Sequence, residues 1–209
     1  VKAAAKINLM LDILGTLPDG YHSLFMIMQS VDCCDTVEVN RAETGTGKIV
    51  IRTADERVPK DERNIAYKAA QAFFEETGIK NPGIEIAIEK KIPMAAGLAG
   101  GSTDAAGTFF GLNELLANPL ERKELHELCA KLGSDLNFCL EGGCKKTTSR
   151  GEVLEDAEFI ERNVSLIKPI QLGISAKEAY TKFAAKEKTT ERDRYINDLE
   201  WAVIKDYPE

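Results

Sequence analysis

The segment Pro93-Met94-Ala95-Ala96-Gly97-Leu98-Ala99-Gly100-Gly101-Ser102-Thr103-Asp104-Ala105-Ala106 links two periodic patterns of different kind. Before it, Ile84, Ile86 and Ile88 alternate as in a half-buried strand that ends at Pro93. After it, the spacing predicts a helix from about Ser102 to Ala117, broken by Asn118-Pro119. A strand, a loop of small residues and a helix, in that order, can build a phosphate site. The opening N–H groups of a helix lack intrahelical acceptors, and the aligned peptide dipoles add roughly half a positive charge there. Small residues let phosphate oxygens come close to the backbone. Ser102 or Thr103 is placed to cap the helix or to lend a hydroxyl to a phosphate or its magnesium. Taken alone, the segment equally fits a tight turn with a capped helix.

Outward from this loop the chain reads as mixed strands and helices. Lys2 to Thr16 is strand-like, with Ile7, Leu9, Leu11 and Ile13 alternating. Pro18-Asp19-Gly20 forms a turn, Phe25 to Val39 a second strand and Lys48 to Arg52 a third. A helix is predicted from Asn64 to Thr77, with Ile65, Ala69 and Phe73 on one face and Gly78 as the stop. Another carries Leu125, Leu128, Cys129 and Leu132 over residues 121 to 132, where His126 is read as solvated. Val164 to Ile167 is a further expected strand. Ser175 with Glu178 marks a capping box for a helix reaching about Lys186, and Asn197 to Asp206 reads as helical. The class is α+β, divided into domains 1–155 and 156–209.

Composition narrows the function. The net charge of −7, with 27 basic against 34 acidic residues, gives no global field toward nucleic acid or an anionic membrane. A phosphate site must then be built locally, from amides and a few lysines. Five cysteines, an odd number without CxxC spacing, and two histidines argue against a disulfide framework or a zinc site. No run of 18 apolar residues occurs and no signal-peptide pattern opens the chain, which points to the cytoplasm of a bacterium or a plastid stroma. Thr44-Gly45-Thr46-Gly47-Lys48 has the look of a P-loop, but Ala42 and Ile49 stand where glycine and Ser/Thr are required. A hairpin turn fits it better.

Ala5-Lys6-Ile7-Asn8-Leu9-Met10-Leu11, Gly15 and Asp19-Gly20-Tyr21-His22-Ser23-Leu24 resemble the opening signature of one kinase family. Asp32 and Asp35 with their strand fit the same pattern. The family is 4-diphosphocytidyl-2-C-methyl-D-erythritol kinase, within the GHMP kinase superfamily. The Pro93 to Ala106 loop resembles its second motif, Gly133-Ser134-Asp135 its Gly-x-Asp element, and Asn197-Asp198-Leu199-Glu200 a late segment.

The resemblance implies a GHMP kinase fold, with an N-terminal ribosomal-protein-like α/β domain and a C-terminal α+β domain. It implies transfer of a phosphate from ATP, with magnesium, to the 2-hydroxyl of the methylerythritol unit in the non-mevalonate route to isoprenoids. Asp135 would be the catalytic base and Lys6 would steady the attacking oxygen. The loop Pro93 to Thr103 would hold the phosphates, and Asn64 and Lys90 would lie at the adenine. Tyr21 and His22 would recognise cytosine, Tyr180 would close the aromatic sandwich, and Asn8 would position the substrate. The implied partner is a small molecule with a cytidine diphosphate moiety, bound by a monomer or homodimer, with no nucleic acid and no membrane.

Several positions depart from the family pattern. Asn137 replaces a usual proline, and Lys145 to Arg150 is more polar than the family's small apolar run. Family members continue through a third glycine-rich motif, so the C-terminal domain is expected to be incomplete here. The alternatives are a superfamily kinase acting on mevalonate, homoserine or a sugar, and a nucleotide-binding module without turnover.

Overall fold

The computed structural model describes residues 1–18, 20–42, 47–168, 173–185 and 196–207. Its contacts group the chain into two compact units of interleaved segments. One holds Val1–Ala5, Val31–Pro93 and Ala99–Gly142; the other holds Lys6–Ser30, Met94–Leu98 and Gly143–Glu209. The long strands β1 (Lys2–Thr16) and β2 (His22–Arg41) each contribute residues to both units.

In the first unit, β4 (Ile84–Glu89) lies antiparallel to Thr36–Arg41 of β2, and β3 (Ile49–Arg52) lies parallel to β4. Ile84, Ile86 and Ile88 turn inward, as their alternation predicts, and join Val37 in the core. Against them stand the buried faces of α1 (Ile65–Thr77) and α2 (Gly100–Leu115), with Phe73, Phe109 and Leu112 in the same cluster. Helix α2 approaches the sheet closely: a Cβ on Gly111 would come within 2.8 Å of a Val39 methyl. Glycine is required there by contact rather than by dihedral.

The ends of α1 follow from two residues. The Asn64 side chain accepts the Ala66 N–H at 2.9 Å and donates to the Pro59 carbonyl at 2.8 Å. Gly78 adopts a left-handed φ of 65° and returns its N–H to Phe74. Asn64→Ala is expected to lower stability by about 1 kcal/mol, and up to about 2, through the lost cap. Urea unfolding measures this, and an unchanged midpoint would deny the cap its role.

Helix α3 (Arg122–Leu132) was expected, and the six-residue α4 (Leu136–Glu141) follows it. The two are tied by Glu141, which Arg122 engages and which stands 2.6 Å from His126 Nε2. His126 is therefore within hydrogen-bond distance of a carboxylate and only partly exposed, rather than solvated. Burial alone would raise the Glu141 pKa, but Arg122 and His126 outweigh it and hold the carboxyl below its usual range.

In the second unit, β5 (Cys144–Ser149) lies antiparallel to Leu24–Gln29 of β2, and β6 (Val153–Asp156) lies antiparallel to β5. Helices α5 (Ala176–Ala185) and α6 (Asp198–Val203) complete it. The Ser175 hydroxyl accepts the Glu178 N–H at 3.1 Å, as a helix start should, and Asn197 caps α6 through Leu199. The buried Asp198 carboxylate accepts the Ile13 N–H at 2.7 Å and so pins α6 to β1. Val164 to Ile167 forms no strand; Val164, Leu166 and Ile167 are exposed, and among the described residues no strand pairs with it. Asp19, the stretch Thr44-Gly45-Thr46 and the expected helix end near Lys186 lie outside the described residues. No helix among the described residues is long and apolar enough to cross a membrane.

Candidate active site

The loop ahead of α2 has an unusual backbone. Ala95, Gly97 and Ala99 take positive φ values of 51°, 72° and 57°. Alanine in the left-handed region costs of order 1–3 kcal/mol, so two such alanines mark stored strain. Backbone turns that include left-handed residues can direct successive N–H groups to one side, an arrangement that suits anions. Ala99 stands at the N-cap position of α2 without a side chain to cap it. The first intrahelical bond runs from Thr103 N–H to Ala99 at 2.9 Å, so the amides of Gly100, Gly101 and Ser102 start the helix without intrahelical acceptors. Of the two candidate hydroxyls, Thr103 is buried and donates to the Ala4 carbonyl at 2.9 Å. Ser102 is the half-exposed one.

Lys90 is placed otherwise than at an open base pocket. Its side chain is 7% exposed, and its ammonium engages Asp35 and, at 2.7 Å, Asp104. It also reaches the Gly100 carbonyl at 3.4 Å. Burial works against the charged lysine, but the bonds to Asp104 and Asp35 more than offset it and its pKa is raised. Burial pushes the Asp104 carboxyl up to about 7, against the pull of Lys90 and with a further push from Asp35. Asn64 serves as the α1 cap, its side-chain oxygen and nitrogen each bonded to the local backbone. Pro93 closes this unit's stretch of chain before the loop.

Asp135 precedes α4 in a right-handed conformation (φ −82°, ψ −12°), half-buried, and its side chain does not cap the helix it introduces. That removes the commonest structural explanation for an aspartate at this position. Asn137, which stands in place of the family's proline, is buried in the first turn and α4 forms with it.

In the second unit, Lys6 is 6% exposed and donates to the Asn8 side chain at 3.1 Å. Its backbone N–H meets the Leu98 carbonyl at 3.2 Å, which joins β1 to the loop segment Met94–Leu98. His22 stacks on Tyr180 with ring centroids 5.3 Å apart and 21° between planes. Phe183 meets His22 edge-on and Trp201 in turn. Tyr180 thus lies against His22, one of the two residues expected at the cytosine. The His22 Nδ1 is buried and, among the described residues, has no hydrogen-bond partner. Tyr21 is 57% exposed, and the Arg150 guanidinium lies 4.5 Å from its ring centroid. Sequence reasoning missed Arg150, Phe183 and Trp201 at this cluster. It also missed the Asp35–Lys90–Asp104 group, whose members lie 55 and 14 residues apart along the chain. Among the described residues no three His, Cys, Asp or Glu side chains gather as a metal site.

Residues 64–143 match the family model described as GHMP kinases N terminal domain. Over 183 residues the chain is 45% identical to 4-diphosphocytidyl-2-C-methyl-D-erythritol kinase of Caldanaerobacter subterraneus subsp. tengcongensis, covering 88% of this chain and 62% of that protein. The corresponding kinase of Synechococcus sp. is 46% identical over 184 residues, covering 88% of this chain and 58% of that one. A crystal structure of 4-(cytidine 5'-diphospho)-2C-methyl-D-erythritol kinase superposes with a TM-score of 0.74 at 26% identity, over 100% of this chain and 78% of that chain. Mevalonate kinase of Methanococcus jannaschii shares the fold, with a TM-score of 0.65 at 14% identity over 99% of this chain and 71% of that one. The protein is thus a chain of the GHMP kinase fold. Within that class it is a homologue of the 4-diphosphocytidyl-2-C-methyl-D-erythritol kinases, and it spans about three fifths of the length of the curated relatives it matches.

Proposed function

We propose that this chain carries the nucleotide loop and catalytic residues of a kinase that transfers the γ-phosphate of ATP to the 2-hydroxyl of 4-diphosphocytidyl-2-C-methyl-D-erythritol. The observation that carries the reading is the strained, uncapped start of α2, where left-handed Ala95, Gly97 and Ala99 lead into three amides without intrahelical acceptors. A triphosphate suits such a cradle, since backbone donors and the helix dipole stabilise anions together. The sequence identity of about 45% to kinases of this name directs the acceptor assignment.

In this reading Asp135 accepts the proton of the 2-hydroxyl, the freed oxygen bonds to the γ-phosphorus, and the bond to the bridging oxygen breaks to release ADP. Positioned proton removal is typically worth roughly 10²–10⁴ in rate. Lys6 offsets negative charge on the oxygen, and Asn8 holds the ammonium of Lys6 in place. Magnesium enters with the nucleotide phosphates, neutralising their charge; no residue of this chain is assigned to it.

Recognition of the cytosine falls to the aromatic cluster of the second unit. The exposed Tyr21 ring offers a stacking face, and His22 beside it is assigned the polar contact to the base. Tyr21→Ala is expected to raise the KM for the cytidine substrate by the equivalent of roughly 1–3 kcal/mol, by analogy with base stacking elsewhere, and to leave the KM for ATP unchanged. Equal losses for both substrates would remove Tyr21 from base recognition.

A further inference from the structure

Asp35, Lys90 and Asp104 place three ionisable side chains in the core of the first unit, each less than 10% exposed. Two carboxylates against one ammonium is a costly arrangement, and apolar side chains of similar shape often give equal or better stability. One Asp104 oxygen, Oδ1, is buried and has no hydrogen-bond partner among the described residues, which adds to that cost. Stability alone is therefore a weak explanation for the group.

Its bonds show what it holds. Asp35 Oδ1 accepts the backbone N–H of Lys91 at 2.5 Å and of Ile92 at 2.8 Å, the two residues that lead into Pro93. Lys90 joins Asp35 to Asp104 on α2 and reaches the carbonyl of Gly100, the first residue of that helix. The fit around Gly100 is tight: a Cβ there would come within 3.1 Å of an Ile92 methyl and 3.3 Å of the Lys90 Nζ. One charge cluster thus grips the chain just before the loop and again just after it.

The geometry points to Asp35, Lys90 and Asp104 as positioning residues for the nucleotide loop, with the Lys90 ammonium acting on the start of α2 rather than on the nucleotide base. Lys90 fixes the first turn through Gly100 and Asp104. It also neutralises a carboxylate that would otherwise sit close to an anion-binding helix start and repel phosphate. The inference rests on the reading of the loop as a phosphate cradle, and it reassigns Lys90 from base contact to loop support.

Equilibrium binding of ATP and of inorganic tripolyphosphate to the full chain separates these roles. Lys90→Met is expected to weaken both by a similar factor, about tenfold or more, because both depend on the same amides. Binding of the cytidine-diphosphate substrate should change less than about twofold, which a general loss of structure would not allow. Should Lys90→Met fail to fold, the isosteric Asp35→Asn, which weakens the grip on Lys90, is expected to shift both phosphate ligands in the same direction. Weaker ATP with unchanged tripolyphosphate would return Lys90 to the base and overturn the inference. So would a folded variant with unchanged affinity for both, or an equal loss for all three ligands. Failure of the wild-type chain to bind either ATP or tripolyphosphate would instead defeat the cradle reading itself.

Discussion

Asp135→Asn is expected to lower turnover by about 100-fold or more while leaving ATP affinity close to that of the wild type. The change nearly keeps the shape of the side chain, but it removes the negative charge and the capacity to take a proton. Asp135 is half-buried at the head of α4, with its backbone carbonyl bonded to the Cys139 N–H at 3.0 Å. Urea unfolding of the asparagine variant, run beside the kinetics, separates a loss of turnover from a loss of fold. Steady-state kinetics with both substrates varied reads the effect. Loss confined to kcat supports the base assignment, whereas near-normal turnover rejects it.

The second large effect is one of stability. Phe109 lies fully buried in the middle of α2, in the cluster with Val37, Phe73, Ile86 and Leu112. Phe109→Ala removes most of a ring from close-packed surroundings and is expected to cost about 3–5 kcal/mol, the lost transfer energy plus the cavity. Against a total stability of roughly 5–15 kcal/mol this threatens the native state at ordinary temperature. Urea unfolding followed by circular dichroism measures it. A loss under about 1 kcal/mol would mean that α2 does not pack on the sheet as described. The two variants should separate cleanly: Asp135→Asn keeps the fold and loses turnover, and Phe109→Ala loses stability while its folded fraction still turns over.

Much of the first unit was legible because its signals are local. The cap residues Asn64 and Gly78 bound α1, and the isoleucine alternation of β4 names its buried face directly. The strained loop was legible as small residues between strand and helix, although its left-handed alanines were not, since alanine carries no signal for that conformation. Strands β5 and β6 escaped notice for a physical reason. Only Cys144 and Thr147 of β5 are buried, and its polar residues are matched by charge across the ladder, Lys145 with Asp156 and Lys146 with Glu155. Cross-strand ion pairs support a strand without apolar alternation, and the opposed runs of lysine and acid were the available signal. Val164 to Ile167 failed in the opposite direction: its Val, Leu and Ile suggest a strand, but among the described residues no ladder includes it.

The candidate site divides in the same way. Lys6, Asn8, Tyr21, His22 and Asp135 came from motif resemblance, which composition and periodicity alone do not supply. The stacking of Tyr180 on His22 and the burial of Lys90 between two carboxylates depend on contacts between residues far apart in the chain. Local sequence reports a lysine beside a strand end as a surface charge. Only the fold reveals that two aspartates enclose it.

The proposed activity is tested most directly by ADP release in a coupled assay, with ATP and magnesium present and 4-diphosphocytidyl-2-C-methyl-D-erythritol, mevalonate and homoserine supplied in turn. The account predicts ADP release with the cytidine-diphosphate alcohol and only background with the other two. ATP binding without ADP release from any of the three, or preferred turnover of mevalonate or homoserine, would contradict it.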